Sequence, residues 1–300
     1  MPTRILAFFL SAALLTNAEP TSADPHPKTL RVMAYNIWYV FAKGKAQAEG
    51  KQWVASQTPD VVALQELTDI QPEKLQELAT AWNHPHSALL KTKGFSVGLT
   101  SRLSIEVVEK KVQGMHHGFL HATVEDIHYF IVHLSPFHWE VRSREARTLL
   151  ERIKPLLDQN KDVIVLGDFN ACSSADRTWL EQNKTLLEKI TASDQKYEHH
   201  QNLREGRFDY SVMQQFFDAG LTDTTLAFLP EKASHRLSYP SGILKNEKTA
   251  PEQGERIDFI LTGRSLADKV ERSTIVTDGI VNQLSDHYPV ITDFKMESGK

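Results

Sequence analysis

Short apolar runs rich in β-branched residues alternate along the chain with longer stretches in which apolar residues recur every three or four positions. Residues 30–38 predict a buried strand and 46–57 a helix. Residues 61–65 predict a second strand. Residues 72–82 predict a helix with Pro72 in its first turn, where a missing N–H costs little. Five strands with no helix between them are expected over 87–91, 95–101, 105–113, 119–124 and 128–133. Residues 140–157 form an amphipathic pattern with Ala146, Leu149, Leu150, Ile153, Leu156 and Leu157 on its apolar side. A strand at 162–166 then runs into Gly167-Asp168-Phe169-Asn170. Residues 178–190 and 210–219 read as helices, the second stopped by Gly220, and 256–261 and 288–294 as closing strands. The segments 191–207 and 229–255 are polar and rich in charge, proline and glycine, so both are expected to be long loops. This order predicts one domain of mixed sheets covered by helices.

The N-terminus has a different pattern. Arg4 precedes an apolar run over 5–15 broken only by Ser11, and Thr16-Asn17-Ala18 supplies the small residues of a cleavage site. The run is too short to span a bilayer as a helix. Residues 1–18 are therefore expected to be a signal peptide cleaved after Ala18, with Ala23 as the second option. Residues 19–28, with Pro20, Pro25 and Pro27, form a flexible leader, and 29–296 a single catalytic domain. A secreted or periplasmic protein with no transmembrane segment, acting as a monomer, is the expectation.

Composition narrows the picture modestly. Hydrophobic residues make up 41% of the 300 and charged residues 24%, enough apolar content for a core without staples. The lone Cys172 has no disulfide partner in the chain and reads as an ordinary small residue. The formal net charge is −4, which does not favour tight non-specific binding of polyanions.

The chemistry is concentrated where polar residues interrupt strand ends. Asn36 closes the first strand, Glu66 the second and His133 the strand at 128–133. Asp168 and Asn170 follow Leu166, Asp258 interrupts an apolar run, and Ser285-Asp286-His287 precedes the last strand. An ionisable group at the edge of a core is costly unless paired or ligated, so this recurrence points to one shared site. Any one of these alone would read as a turn or cap.

In order and context, Ala34-Tyr35-Asn36-Ile37, Leu64-Gln65-Glu66, Gly167-Asp168-Phe169-Asn170, Arg256-Ile257-Asp258 and Ser285-Asp286-His287 resemble the endonuclease/exonuclease/phosphatase (DNase I-like) superfamily, over residues 29–296. That resemblance implies an α/β (α+β) fold, a four-layer αββα sandwich of two mixed β-sheets flanked by helices. It also implies a metal-dependent phosphoric ester hydrolase. Glu66 and Asp286 would ligate Mg²⁺, with Mn²⁺ or Ca²⁺ as substitutes, since hard oxygen donors suit these ions. Asp168 would activate the attacking water, with Asn170 and Asn36 donating to phosphate or orienting Asp168. His287, oriented by Asp258, would bind the phosphoryl group. His133 resembles the second histidine of DNase I-like members.

Two departures bear on substrate. Trp38 stands where some members carry a second acidic ligand, and where DNase I-like enzymes often carry a DNA-contacting arginine. Phosphodiester hydrolysis on a phospholipid head group or small phosphodiester is the leading expectation. A secreted nuclease is the alternative, and a catalytically silent binding module the third. Trp38, Tyr39, Phe41, Phe137, His138 and Trp139 either rim the site or fill the seam beneath its loops. His116-His117 and His199-His200 read as exposed loop residues. Lys43, Lys45, Arg142 and Arg144 read either as an anion-binding rim or, more simply, as solvated side chains.

Overall fold

The computed structural model describes residues 29–229, 236–244 and 254–296. The expected signal peptide and leader lie outside these residues, as does much of the segment expected to loop at 229–255. The chain opens on β1 (Thr29–Asn36), α1 (Gln47–Ser56), β2 (Val61–Gln65) and α2 (Pro72–Ala81). Then come β3 (His86–Leu89), β4 (Gly98–Ser101), β5 (Ile105–Lys111), β6 (Phe119–Val124) and β7 (Ile127–His133). Next are α3 (Trp139–Asp158), β8 (Val163–Asp168), α4 (Arg177–Gln182) and α5 (Lys184–Lys196). A hairpin of β9 (Leu203–Arg204) and β10 (Arg207–Phe208) leads to α6 (Ser211–Asp218) and β11 (Thr222–Asp223). The chain closes with β12 (Asp258–Thr262), α7 (Arg264–Ala267), β13 (Val270–Ile275) and β14 (Val290–Lys295).

Two six-stranded sheets result, ordered β13-β14-β1-β2-β4-β3 and β11-β12-β8-β7-β6-β5. Each contains one parallel pair, β1 with β2 and β7 with β8, joined through α1 and α3 respectively. The side-chain alternation explains the packing. In β8, Ile164 and Leu166 face the core between the sheets, while Val163 and Val165 face a second core under α3 and α6. In β7, Tyr129 and Ile131 face inward and Phe130 and Val132 outward. Strands buried on both faces read as continuous apolar runs, which is how they look in the sequence. Val54 of α1 and Leu75, Leu78 and Ala79 of α2 cover the other sheet. The outcome is the expected four-layer αββα sandwich. No described helix is long and apolar enough to cross a membrane.

Several boundaries differ from the sequence reading. β1 stops at Asn36 rather than residue 38, because Trp38, Tyr39, Val40, Phe41, Ala42 and Lys43 all have positive φ, from 42° to 65°. This left-handed turn drives the Phe41 ring into the space beside Gly50, where a Cβ would lie 2.4 Å from the ring. The helix expected over 178–190 is split at Asn183, whose Oδ1 accepts the Leu186 N–H at 3.0 Å and caps α5. From there α5 runs to Lys196, into the segment expected to be a loop, because Leu186, Leu187 and Ile190 keep helical spacing against a small third core. The remainder of that segment holds the β9–β10 hairpin. β11 and β13 had no signal, one being two residues long and the other mixing exposed, half-buried and buried residues without alternation.

Gly167 is closed in by its own sheet and by the opposing one. Its φ is +135°, and a Cβ there would meet the Val132 carbonyl oxygen at 2.1 Å and Gln65 Nε2, from the opposing sheet, at 2.8 Å. Gly167→Ala is therefore expected to cost at least ~3 kcal/mol in a denaturant titration, since both the φ value and the space exclude a methyl group. A loss below ~1 kcal/mol would contradict this close approach of the sheets.

Candidate active site

The strand ends converge at one edge of the sandwich. Pairing aligns three of the residues within one sheet: His133 lies opposite Asp168 in the parallel β7–β8 pair, and Asp258 opposite Asp168 in the antiparallel β12–β8 pair. The other sheet brings Asn36, Glu66 and the segment before β14. Asn36 Nδ2 donates to Asp168 Oδ2 at 3.0 Å and reaches Glu66 Oε1 at 3.4 Å. The Ser285 hydroxyl donates to the Asn36 carbonyl at 2.6 Å and accepts the His287 N–H at 3.2 Å, tying the terminal motif to β1. His287 Nδ1 lies 2.8 Å from Asp258 Oδ2, and its Nε2 faces Asp168 Oδ2 at 3.8 Å. Asp168 Oδ1 accepts the Asn170 N–H at 2.9 Å, while the Asn170 side-chain amide donates to the Leu134 carbonyl at 3.0 Å. Glu66 and Asn170 both hold positive φ, 58° and 48°, an unusual backbone state for non-glycine residues that clusters at functional sites.

The segment before Asp258 is anchored by charge. Arg256 is 3% exposed and pairs with Asp176 at 2.8 Å and with Asp223, while its Nη1 also donates to Thr225 Oγ1 at 3.0 Å. Removing both carboxylates would leave a desolvated charge. The Ser238 hydroxyl then accepts the backbone N–H groups of Ile257 and Asp258, both at 3.0 Å.

Burial sets the electrostatics. It raises the Glu66 carboxyl to about 7, against the opposing pull of His287 and with a further push from Asp286. Burial and the charge of Asp258 push the Asp168 carboxyl up, and burial raises Asp286 as well. Burial alone would lower His287, yet Asp258 and Asp168 outweigh it and raise the imidazole to about 10, so it is a cation at neutral pH. His133 is the opposite case. Burial, and then the charges of His117 and His287, hold it well below the ordinary histidine value, and its Nδ1 has no hydrogen-bond partner. Among the described residues no carboxylate pairs with that nitrogen, and His117 stacks on the ring at 4.1 Å instead.

Three carboxylates raised by desolvation, Asp168 and Asp286 buried and Glu66 half-buried, form a set that a divalent cation would relieve. Glu66 Oε2 is buried without a partner, the kind of orphan an oxygen-ligated cation explains. Asp168, Asp258 and His287 also offer ligand atoms within 4.8 Å of one another. Glu66 and Asp286, the hard oxygen donors expected to hold a cation, line the same cavity.

All eight residues singled out in the sequence, Asn36, Glu66, His133, Asp168, Asn170, Asp258, Asp286 and His287, lie in this region. All but Asn36 and Asp258 line a cavity of about 430 Å³. The sequence missed others. His117 is buried rather than exposed, and forms a wall with His116, Phe137 and His200. Tyr239 packs on His287 at 4.8 Å between centroids. Arg142 is buried in the cavity wall rather than solvated, whereas Arg144 is exposed. Lys43 sits over the Trp38 ring at 4.9 Å. Phe41 fills the seam, fully buried against Tyr35. No local pattern marks these residues, because their positions depend on loops folding over the strand ends.

Comparison with known proteins agrees with this geometry. A family model described as Endonuclease/Exonuclease/phosphatase family matches residues 33–287. Among solved structures, a 3′ phosphatase, NExo, from Neisseria bound to product DNA hairpin is similar at TM-score 0.66 and 20% identity, covering 89% of this chain and 100% of that one. An AP endonuclease from Archaeoglobus fulgidus is similar at TM-score 0.65 and 16% identity, with the same coverage. A protein titled endonuclease/exonuclease/phosphatase from Beutenbergia cavernae DSM 12333 is similar at TM-score 0.61 and 17% identity, covering 90% of this chain and 72% of that one. No curated protein matches the chain in sequence.

The dyad of His287 and Asp258 can be tested directly. In Asp258→Asn the largest force holding His287 protonated is gone, so its pKa should fall from about 10 as burial gains against the remaining pull of Asp168 and Asp286. Nitrogen-15 NMR titration of the imidazole reads this, and an unchanged value in the variant would exclude the pairing. The sign for stability follows. The wild-type pair stabilises the fold fully below pH 6.5 and loses that contribution as pH rises through about 10.

Proposed function

Because the chain belongs to the endonuclease/exonuclease/phosphatase family, we propose that it is a secreted, divalent-metal-dependent phosphoesterase that hydrolyses a phosphodiester by attack of a water held at Asp168. The observation that carries this reading is the cross-sheet cluster in which Asn36 joins Asp168 and Glu66, beside the His287–Asp258 pair. Phosphoester hydrolysis needs an aligned nucleophile and positive charge on the phosphoryl oxygens. These residues supply both.

Each side chain has a role its contacts support. Asp168, its carboxyl pushed up by burial, accepts the proton of the attacking water while Asn36 and the Asn170 N–H hold its two oxygens in place. His287, kept cationic by Asp258, donates to a phosphoryl oxygen. Neutral His133 offers Nε2 on the Asp168 side of the cavity. Asn170, with one amide hydrogen engaged by Leu134, has a second for phosphate. Glu66 and Asp286 would hold Mg²⁺, which when bound supplies Lewis-acid charge to the phosphoryl and leaving oxygens.

A small or lipid-derived phosphodiester is the preferred substrate. A cavity of about 430 Å³ suits a head-group-sized molecule, and the net charge of −4 does not attract polyanions. A nuclease is the second reading, supported by the similarity to a structure bound to product DNA. The N-terminal pattern of residues 1–18 supports secretion or periplasmic residence.

With bis(p-nitrophenyl) phosphate, activity should vanish on chelation and return with Mg²⁺, and Asp168→Ala should lower kcat by ~10³-fold or more. Glu66→Gln should raise the Mg²⁺ concentration for half activity by ~10-fold or more, since it removes a charged ligand. Hydrolysis indifferent to both substitutions would sink the mechanism, and rapid nicking of plasmid DNA lost in Asp168→Ala would select the nuclease reading. Expressed with its own leader and exported, the mature chain should begin at Glu19 on N-terminal sequencing. Retention of residues 1–18 would refute secretion by this signal.

A further inference from the structure

The cavity extends past the catalytic cluster to an end that the chemistry above leaves unused. Arg142 of α3 is 3% exposed there. Its Nη1 donates to the Ser135 carbonyl at 2.9 Å and to Asn202 Oδ1 at 2.8 Å, and its Nε has no hydrogen-bond partner among the described residues. Asn202 is itself fixed, its backbone N–H and that of Leu203 both donating to Asp194 Oδ2 at 2.9 Å. Lys189 of α5 lines the same end from an exposed position. Lys189 and Arg142 both act on Glu255, opposing the rise that burial imposes on its carboxyl, and Cys172 Sγ sits 3.9 Å from that carboxyl. Two cations therefore meet beside Glu255 at one end of the open cavity.

A buried guanidinium with an unused donor costs free energy unless something accepts from it. Glu255, Asp209 and Glu145 all act on the Arg142 charge, yet none accepts from its Nε, and among the described residues Glu255 takes only the Cys172 thiol. Both Asp209 oxygens take the Ser211 hydroxyl, at 2.8 and 3.0 Å, and Arg204 stands 4.0 Å away. Glu145, next to Ser135, accepts the N–H groups of His116 and Ser135. The wall between the two ends, His116, His117 and His200, is held uncharged at neutral pH by burial, so it adds no competing cation.

Resting on the reading of the catalytic cluster as the phosphoryl site, we propose that the Arg142–Asn202–Lys189 end is a second anion subsite, and that the substrate is a small phosphoester carrying a further carboxylate or phosphate. A planar guanidinium matches either oxyanion with charge-assisted hydrogen bonds. The cavity volume of about 430 Å³ accommodates one such molecule spanning both ends.

Calorimetric titration of the full Mg²⁺-loaded protein tests this with non-hydrolysable pairs: alkylphosphonates against ω-carboxyalkyl and ω-phosphonoalkyl phosphonates of matched chain length. The best two-anion ligand should bind about tenfold tighter than its alkyl counterpart. That ratio should collapse towards one in Arg142→Lys, which keeps the charge but loses the fork, and fall in Lys189→Gln. Lys189 is exposed, so its variant serves if Arg142→Lys fails to fold. Lys110→Gln, on the exposed edge strand β5, should keep the wild-type ratio. Equal affinity across each pair, preference for ω-aminoalkyl phosphonates, or a ratio untouched by both cavity variants would overturn the second subsite. If bis(p-nitrophenyl) phosphate is hydrolysed while the preference is absent, only this inference fails. No hydrolysis and no phosphonate binding would remove the phosphoesterase reading with it.

Discussion

The structure turns on a single hydrogen bond between layers, from Asn36 at the end of β1 to Asp168 at the end of β8. Each residue belongs to a different sheet, so the bond forms only when the two sheets face each other in one register and at one spacing. Gly167 sets that spacing, because no side chain fits between the Val132 carbonyl and Gln65. The pair of His287 and Asp258 repeats the arrangement, with a residue leading into the first sheet meeting one from the second. Site geometry and sheet packing are thus one constraint.

That constraint carries an electrostatic cost. Glu66, Asp168 and Asp286 are carboxylates gathered in a desolvated corner, and burial raises all three. His287 offsets part of this as a buried cation, and a bound divalent ion would offset more. The orphaned Glu66 oxygen and the left-handed backbone at Glu66 and Asn170 belong to the same picture. Active sites concentrate strain and unpaid desolvation where ligands resolve them. The rest of the fold, with apolar side chains on both faces of its central strands, supplies the stability that tolerates it.

Outside the cluster, the cavity is shaped by segments with little regular structure. The histidine and aromatic wall, Tyr239 and the end formed by Arg142, Asn202 and Lys189 come from loops and from the side of α3 and α5 that faces the strand ends. The same edge residues in another member of this fold would serve a different substrate if these segments were exchanged, since fold positions the chemistry and loops select what reaches it.

The strands and most helices were legible in the sequence, because hydrophobic periodicity is a local property: 61–65 and 119–124 coincide with β2 and β6, and α2 begins at Pro72 as expected. The eight polar residues at strand ends were legible for a related reason, since a charge that interrupts an apolar run stands out without knowledge of its neighbours. The turn after Asn36, the break at Asn183 and the extension of α5 to Lys196 were not, because each is decided by what packs against it. The contrast is sharpest on one helix. Arg142 and Arg144 are two residues apart and alike in sequence, yet one is buried in the cavity and the other lies in solvent. The sequence by itself determined which residues carry charge and which strands they end. Only the tertiary structure decided which of those charges meet, because contact between distant segments depends on how two sheets and the loops above them pack.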